Sequence, residues 1–226
     1  MAEPITTIHL VRHGEVDNPT GILYGRADGF HLTPLGREMA QGLADTFYPD
    51  HDVRAVISSP LERAIETATP TARAFGLQVH TDTDLIEADN KFAGIPINDN
   101  HLMLLQPRFW GWYTNPFKPS WGEPYKEIVA RMSRAVRHAI DTAEGGEAVL
   151  VSHQLAIWAL RRFIEGKSQA HDPRKRECSL CSVTSLTFVG RQLLSWDYWE
   201  PVKNLLKGAQ DMVPGTSEAA EKTSCS

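Results

Sequence analysis

The sequence predicts a three-layer α/β/α sandwich, with helices on both faces of a mostly parallel sheet and an antiparallel hairpin strand at its C-terminal side. Three observations carry this. Short, nearly continuous apolar runs alternate with longer segments of helical period, the pattern of strands buried on both faces. Each run gives way to a polar stretch before the next helix starts. Only near the end do two strand-like runs follow one another directly, across Gly190-Arg191.

Residues 6–11 hold Ile8, Leu10 and Val11 and read as a buried strand. A polar, Gly-containing loop runs from Arg12 to about residue 32. Thr33-Pro34 then reads as a helix start, Thr as N-cap and Pro at the first helical position. Leu35, Met39, Leu43 and Phe47 give that helix its apolar stripe. A second strand fits residues 54–58, and Ser59-Pro60 opens a helix to about residue 75 that Pro70 should kink. Helical period resumes over residues 125–142, with Ile128, Met132, Ala135, Val136 and Ile140 on one side. A third strand at 148–152 leads into a helix over about 155–164, and residues 182–189 and 192–199 form the hairpin. From Gly208 the residues are small and polar, so the domain is residues 1–207 and a flexible tail covers 208–226.

Length is sufficient for one large core, and no Gly/Ser linker or charge block divides the 226 residues. The net charge of −5 argues against a general nucleic-acid binder, which needs a basic stripe, yet leaves room for a local basic pocket holding one small anion. No apolar run approaches bilayer length, and Met1-Ala2-Glu3-Pro4 lacks the marks of a secretory leader. Cys178, Cys181 and Cys225 make no disulfide framework and fit a reducing cytoplasm. Cys178 and Cys181 lie in a strand-like run, where positions three apart face opposite ways. With His171 they offer too few ligands for zinc.

In parallel sheets flanked by helices, ligands bind beyond the carboxyl ends of the strands. Arg12-His13-Gly14-Glu15 stands past the first strand, Ser58-Ser59-Pro60-Leu61-Glu62-Arg63 past the second, and Ser152-His153-Gln154 past the third. Topology thus brings two histidines and two arginines to one crevice. Phosphoryl transfer asks for little else, since its catalysis is mostly positioning and stabilisation of charge on the phosphoryl oxygens. Arginine's fork matches those oxygens, and a neutral imidazole is a competent nucleophile near pH 7. Gly14 lets the backbone come close where a side chain would block the oxyanion.

Several stretches together resemble the histidine phosphatase superfamily, the phosphoglycerate mutase-like fold. Leu10-Val11-Arg12-His13-Gly14-Glu15 is similar to its signature, and Leu32-Thr33-Pro34-Leu35-Gly36 to its first-helix entry. Ser58-Ser59-Pro60-Leu61-Glu62-Arg63-Ala64 with Thr67-Ala68, Leu85-Ile86-Glu87, and Val149-Leu150-Val151-Ser152-His153 fit later blocks in order. The resemblance implies that His13 is phosphorylated, that Arg12, Arg63 and His153 complete a positively charged phosphate pocket, and that Glu87 protonates the leaving oxygen and later activates water. It implies no metal and no cofactor. Asn18 and Arg26, in the first loop, are candidate substrate contacts, and Glu15 is divided between binding substrate and pinning its loop.

After Glu87 the chain departs from the family by reading Ala88-Asp89-Asn90-Lys91-Phe92-Ala93-Gly94, so Asp89 and Asp84 stand as alternative acids. Gln154 stands where a Gly often follows the last His. Residues 90–125 hold eight of the nineteen Phe, Trp and Tyr residues, among them Trp110, Trp112 and Trp121. They read as a lid lining the substrate pocket, a satellite core, or a homodimer contact patch. The cation-poor segment and the missing Arg-His-Tyr-Gly continuation favour a phosphatase over a mutase. The expected partner is a small phosphorylated metabolite, without nucleic acid or membrane. A non-catalytic phosphate-binding module is disfavoured, because every expected pocket residue is present. A P-loop or dinucleotide fold is disfavoured because neither G-x-x-x-x-G-K-[ST] nor G-x-G-x-x-G occurs.

Overall fold

The computed structural model describes residues 3–94, 122–172 and 175–211. Six strands form one sheet: β1 (Ile5–Arg12), β2 (Val53–Ser58), β3 (Val79–Thr81), β4 (Glu147–Ser152), β5 (Val183–Val189) and β6 (Gln192–Trp199). Their order across the sheet is β3-β2-β4-β1-β5-β6. The pairs β3–β2, β2–β4 and β4–β1 are parallel; β1–β5 and β5–β6 are antiparallel. The expected sandwich is therefore present, with one strand more than the sequence predicted. The three residues of β3 carry an exposed His80 and Thr81 and are too few to show a strand period.

Alternation along the central strands assigns each face. Ile8, Leu10, Ile57, Ala148 and Leu150 pack with α3 (Tyr125–Thr142) and α4 (Gln154–Ile164) in one core. Val11, Val56, Val149 and Val151 point the other way, into a core with α1 (Pro34–Phe47) and α2 (Glu62–Ala74). A one-residue slip in register would exchange these sets, so the hydrophobic pattern fixes the pairing.

Thr33 caps α1 as expected, its hydroxyl accepting from Gly36 N at 2.9 Å. Pro70 lies inside α2 without ending it. The expected strand at 182 starts one residue later. Cys178 and Cys181 lie before it in a turn where Cys181 takes φ 51°, which corrects the placement of that pair in a strand-like run.

Gly14 also turns out to serve a different purpose. A Cβ there would meet the Gly36 carbonyl oxygen at 2.7 Å, and one on Gly36 would meet the Glu15 carbonyl oxygen at 2.1 Å. The two glycines allow the first turn of α1 to lie directly on the loop after β1. Because the Gly14 N–H donates to Thr67 Oγ1 at 3.1 Å, it is spent on α2 rather than on an anion.

Near the start of β4, Glu147 Oε2 accepts from His9 Nε2 at 2.8 Å and His51 Nδ1 at 2.7 Å, while His9 Nδ1 meets Ser185 Oγ at 2.9 Å. These three residues are a donor set able to hold a cation. The network satisfies the carboxylate without one.

Candidate active site

Because β4 lies between β1 and β2, the carboxyl ends of the three strands are neighbours, and the residues after them converge. His13 and His153 are buried, with ring centroids 5.1 Å apart and planes at 61°. His13 Nδ1 lies 2.8 Å from the Gly14 carbonyl oxygen. A carbonyl only accepts, so Nδ1 carries the proton and Nε2 holds the lone pair. Burial, then the charges of Arg63 and Arg12, push the His13 pKa well below the ordinary histidine value, against the weaker pull of the Gly14 bond. The imidazole is neutral at pH 7 and its tautomer is fixed by its own backbone.

His153 Nε2 meets Ser59 Oγ at 2.8 Å, tying the end of β4 to the end of β2. Burial, followed by His13, Arg63, Arg131 and Arg12, lowers its pKa well below the usual value. The expectation that His153 contributes standing positive charge is thereby corrected: it contributes a neutral ring, and the charge comes from arginine.

Arg63 is fully buried near the start of α2. Its Nη2 donates to the Gly25 carbonyl at 2.6 Å, its Nη1 reaches the Ala27 carbonyl at 3.4 Å, and its guanidinium sits 4.7 Å from the Tyr24 ring centroid. The Arg12 Nη1 donates to the Cys178 carbonyl at 2.8 Å, and both its Nη atoms meet the Asp211 carboxylate at 2.6 Å. Burial works to lower the Arg12 pKa, but Asp211 overrides it and holds the group above the ordinary arginine value.

With those ends of the two guanidiniums spent, Arg12 Nε, Arg63 Nε and His153 Nδ1 have no partner among the described residues; the fourth buried nitrogen in that state, Trp158 Nε1, belongs to α4. The first three belong to groups in electrostatic reach of His13 or His153. Buried donors of this kind are costly to leave unsatisfied. An anion placed beside the imidazole would satisfy the two arginine Nε donors.

Among the acids, Glu87 is half-buried, its Oε1 accepting from Ala88 N at 2.7 Å, and it acts electrostatically on Tyr24, Arg63 and Arg176. Asp84 instead forms a two-point pair with Arg134 at 2.7 and 2.9 Å. Asp89 is exposed.

Two expected substrate contacts are engaged elsewhere. Arg26 is exposed and braces the Glu87 carbonyl at 2.7 Å and Glu123 Oε2 at 2.9 Å. Asn18 closes its own turn on Ile22, accepting at 3.3 Å and donating at 2.9 Å. Glu15 is buried and takes the loop-pinning role, accepting from the Thr33 hydroxyl and from Gln210 N.

The described part of the tail contradicts the frayed end expected from residue 208. Residues 208–211 fold back to the site, placing Gln210 on Glu15 and Asp211 on Arg12. Sequence reasoning missed Asp211, Tyr24 and Arg176. A polar tail carries no periodic signal, and Arg174-Lys175-Arg176 reads as a solvated basic run although Arg176 is buried. Residues 95–121, most of the aromatic-rich segment, lie outside the described residues; Phe92 at its edge is buried.

Burial keeps the Cys178 and Cys181 thiols protonated at neutral pH, with pKa values pushed up to about 11 and about 12. Their backbone does the work instead: the Cys178 carbonyl holds Arg12, and Cys181 N donates to the Arg12 carbonyl at 3.1 Å. No helix among the described residues is long and apolar enough to cross a membrane.

The model of the histidine phosphatase superfamily (branch 1) matches residues 8–198. The uncharacterized protein Rv0525 of Mycobacterium tuberculosis (strain ATCC 25618 / H37Rv) is 51% identical over 196 residues, spanning 87% of this chain and 96% of that protein. The probable phosphoglycerate mutase GpmB of Proteus mirabilis (strain HI4320) is 28% identical over 188 residues, 80% of this chain and 84% of its own length. Among solved structures, the mycobacterial glucosyl-3-phosphoglycerate phosphatase Rv2419c superposes with a TM-score of 0.68 at 24% identity, covering 86% of this chain and 97% of that one.

Proposed function

The chain belongs to the histidine phosphatase superfamily, branch 1, and from that premise we propose that it is a metal-independent phosphatase that hydrolyses small phosphomonoesters through a phosphohistidine on His13. The single observation that carries this reading is the bare Nε2 of His13 beside His153 and in electrostatic reach of two arginines whose buried Nε donors have no partner.

In the first step, His13 Nε2 attacks phosphorus in line and the bond to the leaving oxygen breaks. Glu87 gives that oxygen its proton. The proton on His13 Nδ1, held by the Gly14 carbonyl, stabilises the imidazole as it takes on positive character. Arg12 Nε, Arg63 Nε and His153 Nδ1 meet the equatorial oxygens, whose charge they offset without rearranging. In the second step Glu87, now a carboxylate, takes a proton from water as it attacks phosphohistidine, which releases inorganic phosphate and restores His13. A bound dianion would oppose the charges of Arg63, Arg131 and Arg12 that add to burial in lowering the His153 pKa.

Arginine supplies the cationic field in this scheme, so turnover of p-nitrophenyl phosphate is expected to survive EDTA treatment within about twofold, and vanadate is expected to inhibit it. Loss of most activity to EDTA, restored by a divalent cation, would overturn metal independence. The likeness to a probable phosphoglycerate mutase keeps a second phosphoryl-transfer reading in view. Supplied with 3-phosphoglycerate and 2,3-bisphosphoglycerate, the protein is expected to release phosphate; 2-phosphoglycerate formed faster than free phosphate would make it a mutase.

A further inference from the structure

His9, His51 and Glu147 each bring one ligand atom to within 4.8 Å of the other two. The set is two imidazole nitrogens and one carboxylate, drawn from three separate parts of the chain. His9 lies in β1, Glu147 opens β4, and His51 follows α1 on the way into β2. The backbone fixes all three. Strands β1 and β4 are paired, the Glu147 N–H donates to the Asp52 carbonyl at 2.9 Å, and the His51 N–H donates to the Phe47 carbonyl at 3.0 Å. The His9 ring packs on buried Phe47 with centroids 4.9 Å apart, and the His51 ring meets the same Phe47 edge-on at 5.0 Å. Ligands held this way on packed elements lose little rotamer freedom when they take up an ion.

Proton placement suits a cation as well as it suits the hydrogen bonds. Trp199 Nε1 only donates, so Ser185 Oγ accepts from it at 3.1 Å and keeps its own proton and one lone pair for His9 Nδ1, 2.9 Å away. Ser185 stands opposite His9 in the β1–β5 ladder. It gives its proton to Nδ1 while Nε2 bonds Glu147, and it is equally able to accept from Nδ1 once Nε2 binds a metal. A metal-bound histidine ordinarily donates its other N–H to such a partner. His51 and Glu147 are partly exposed, so an ion can enter from solvent and keep a water. Two nitrogens and one oxygen suit zinc, whereas magnesium and calcium take oxygen ligands. Ligand atoms about 2 Å from one ion stand about 3.3 Å apart in a tetrahedron, so the ion enters by parting the present 2.8 and 2.7 Å contacts by about half an ångström.

We propose that His9 Nε2, His51 Nδ1 and a carboxylate oxygen of Glu147 bind one zinc ion, with water in the fourth position, as a clamp joining β1, β4 and the chain entering β2. The site lies at the amino end of β4, while His153 follows its carboxyl end. The six residues of that strand put about 20 Å between the ion and the crevice. The ion therefore touches no reacting atom, and the site is independent of the hydrolase reading. Its effect is on stability, because a ligand held only by the folded chain shifts the folding equilibrium by mass action.

The test titrates the full chain, stripped with EDTA and dialysed, with zinc chloride by calorimetry. One equivalent is expected to bind with Kd of about 10 μM or tighter. Zinc at a hundredfold excess over Kd is expected to raise Tm by about 5 °C or more. Glu147→Gln keeps a side-chain oxygen that accepts from both imidazoles but removes the charged ligand. It is expected to weaken zinc by at least about tenfold with little change in the metal-free Tm. His51→Ala is expected to weaken zinc at least as much, and both variants should turn over p-nitrophenyl phosphate at the wild-type rate without zinc. Absence of zinc binding by the wild type would make the cluster a hydrogen-bond network alone and overturn the inference. Zinc affinity that is the same in the wild type and both variants, whatever happens to the metal-free Tm, would place the ion elsewhere and overturn it too.

Discussion

Replacing His13 with alanine is expected to reduce kcat for p-nitrophenyl phosphate by about 10⁴- to 10⁶-fold, the scale seen when a covalent nucleophile is removed from a site that otherwise stays intact. The remaining donors would still bind phosphate, so the variant should retain affinity for inorganic phosphate within about tenfold, read by calorimetry. The fold should persist. The His13 side chain contributes one short-range hydrogen bond to Gly14, and its burial as an imidazole costs desolvation. An unchanged far-UV circular dichroism spectrum with lost turnover is the expected pair of results. Activity within tenfold of wild type would take the reaction away from this residue.

Glu87→Gln is expected to be nearly as damaging, but selectively. General acid catalysis contributes about 10²- to 10⁴-fold, and its weight depends on how much the leaving oxygen needs a proton. With an alkyl phosphate, whose leaving alkoxide is strongly basic, the loss should approach the upper end. With p-nitrophenyl phosphate, whose leaving group departs without protonation, it should fall to about tenfold, limited by the second step. The same comparison separates the three carboxyls. Asp84→Asn breaks an exposed pair with Arg134 and should leave both substrates within about twofold. Asp89→Asn should do the same, because the side chain is exposed. A leaving-group-dependent loss in Asp89→Asn, absent from Glu87→Gln, would reassign the acid.

Legibility in the sequence followed physical range. The strands β1, β2 and β4 and the helices α1, α2, α3 and α4 were readable because each carries its own period over many residues, and the hairpin because two strand runs flank a short turn. Strand β3 was not, since three residues show no period. The convergence of His13, Arg63 and His153 followed from strand ends in a parallel sheet and needed no side-chain detail. What escaped were partners set by tertiary contact. Asp211 lies 199 residues from Arg12, and nothing local distinguishes it from other polar residues of the tail. Arg176 hides in a basic run whose burial only the packing of α4 reveals. Gly14 has a second reason to be glycine that the sequence did not show, because a Cβ there would meet the Gly36 backbone on α1. Arg26 and Asn18 were read as substrate contacts of the first loop, and no local signal tells that Arg26 bonds Glu87 and Glu123 or that Asn18 bonds Ile22.

The tail also changes what Arg12 is able to offer. Cys178 and Asp211 hold the Nη end of its guanidinium, so the edge presented to a ligand is the one bearing Nε. A group fixed in this way binds phosphate without first losing rotamer freedom, which is how preorganised sites gain their advantage. In the proposed reaction, Asp211 acts as a positioning group for Arg12.

The proposed reaction bonds phosphorus to one nitrogen, and trapping that adduct tests it most directly. Rapid mixing with a ³²P-labelled phosphomonoester, quenching in alkali and peptide mapping should find acid-labile, alkali-stable label on the peptide containing His13, and none in the His13→Ala protein. Full turnover by the wild type with no trapped label at any quench time, or label fixed to a different residue, would contradict it.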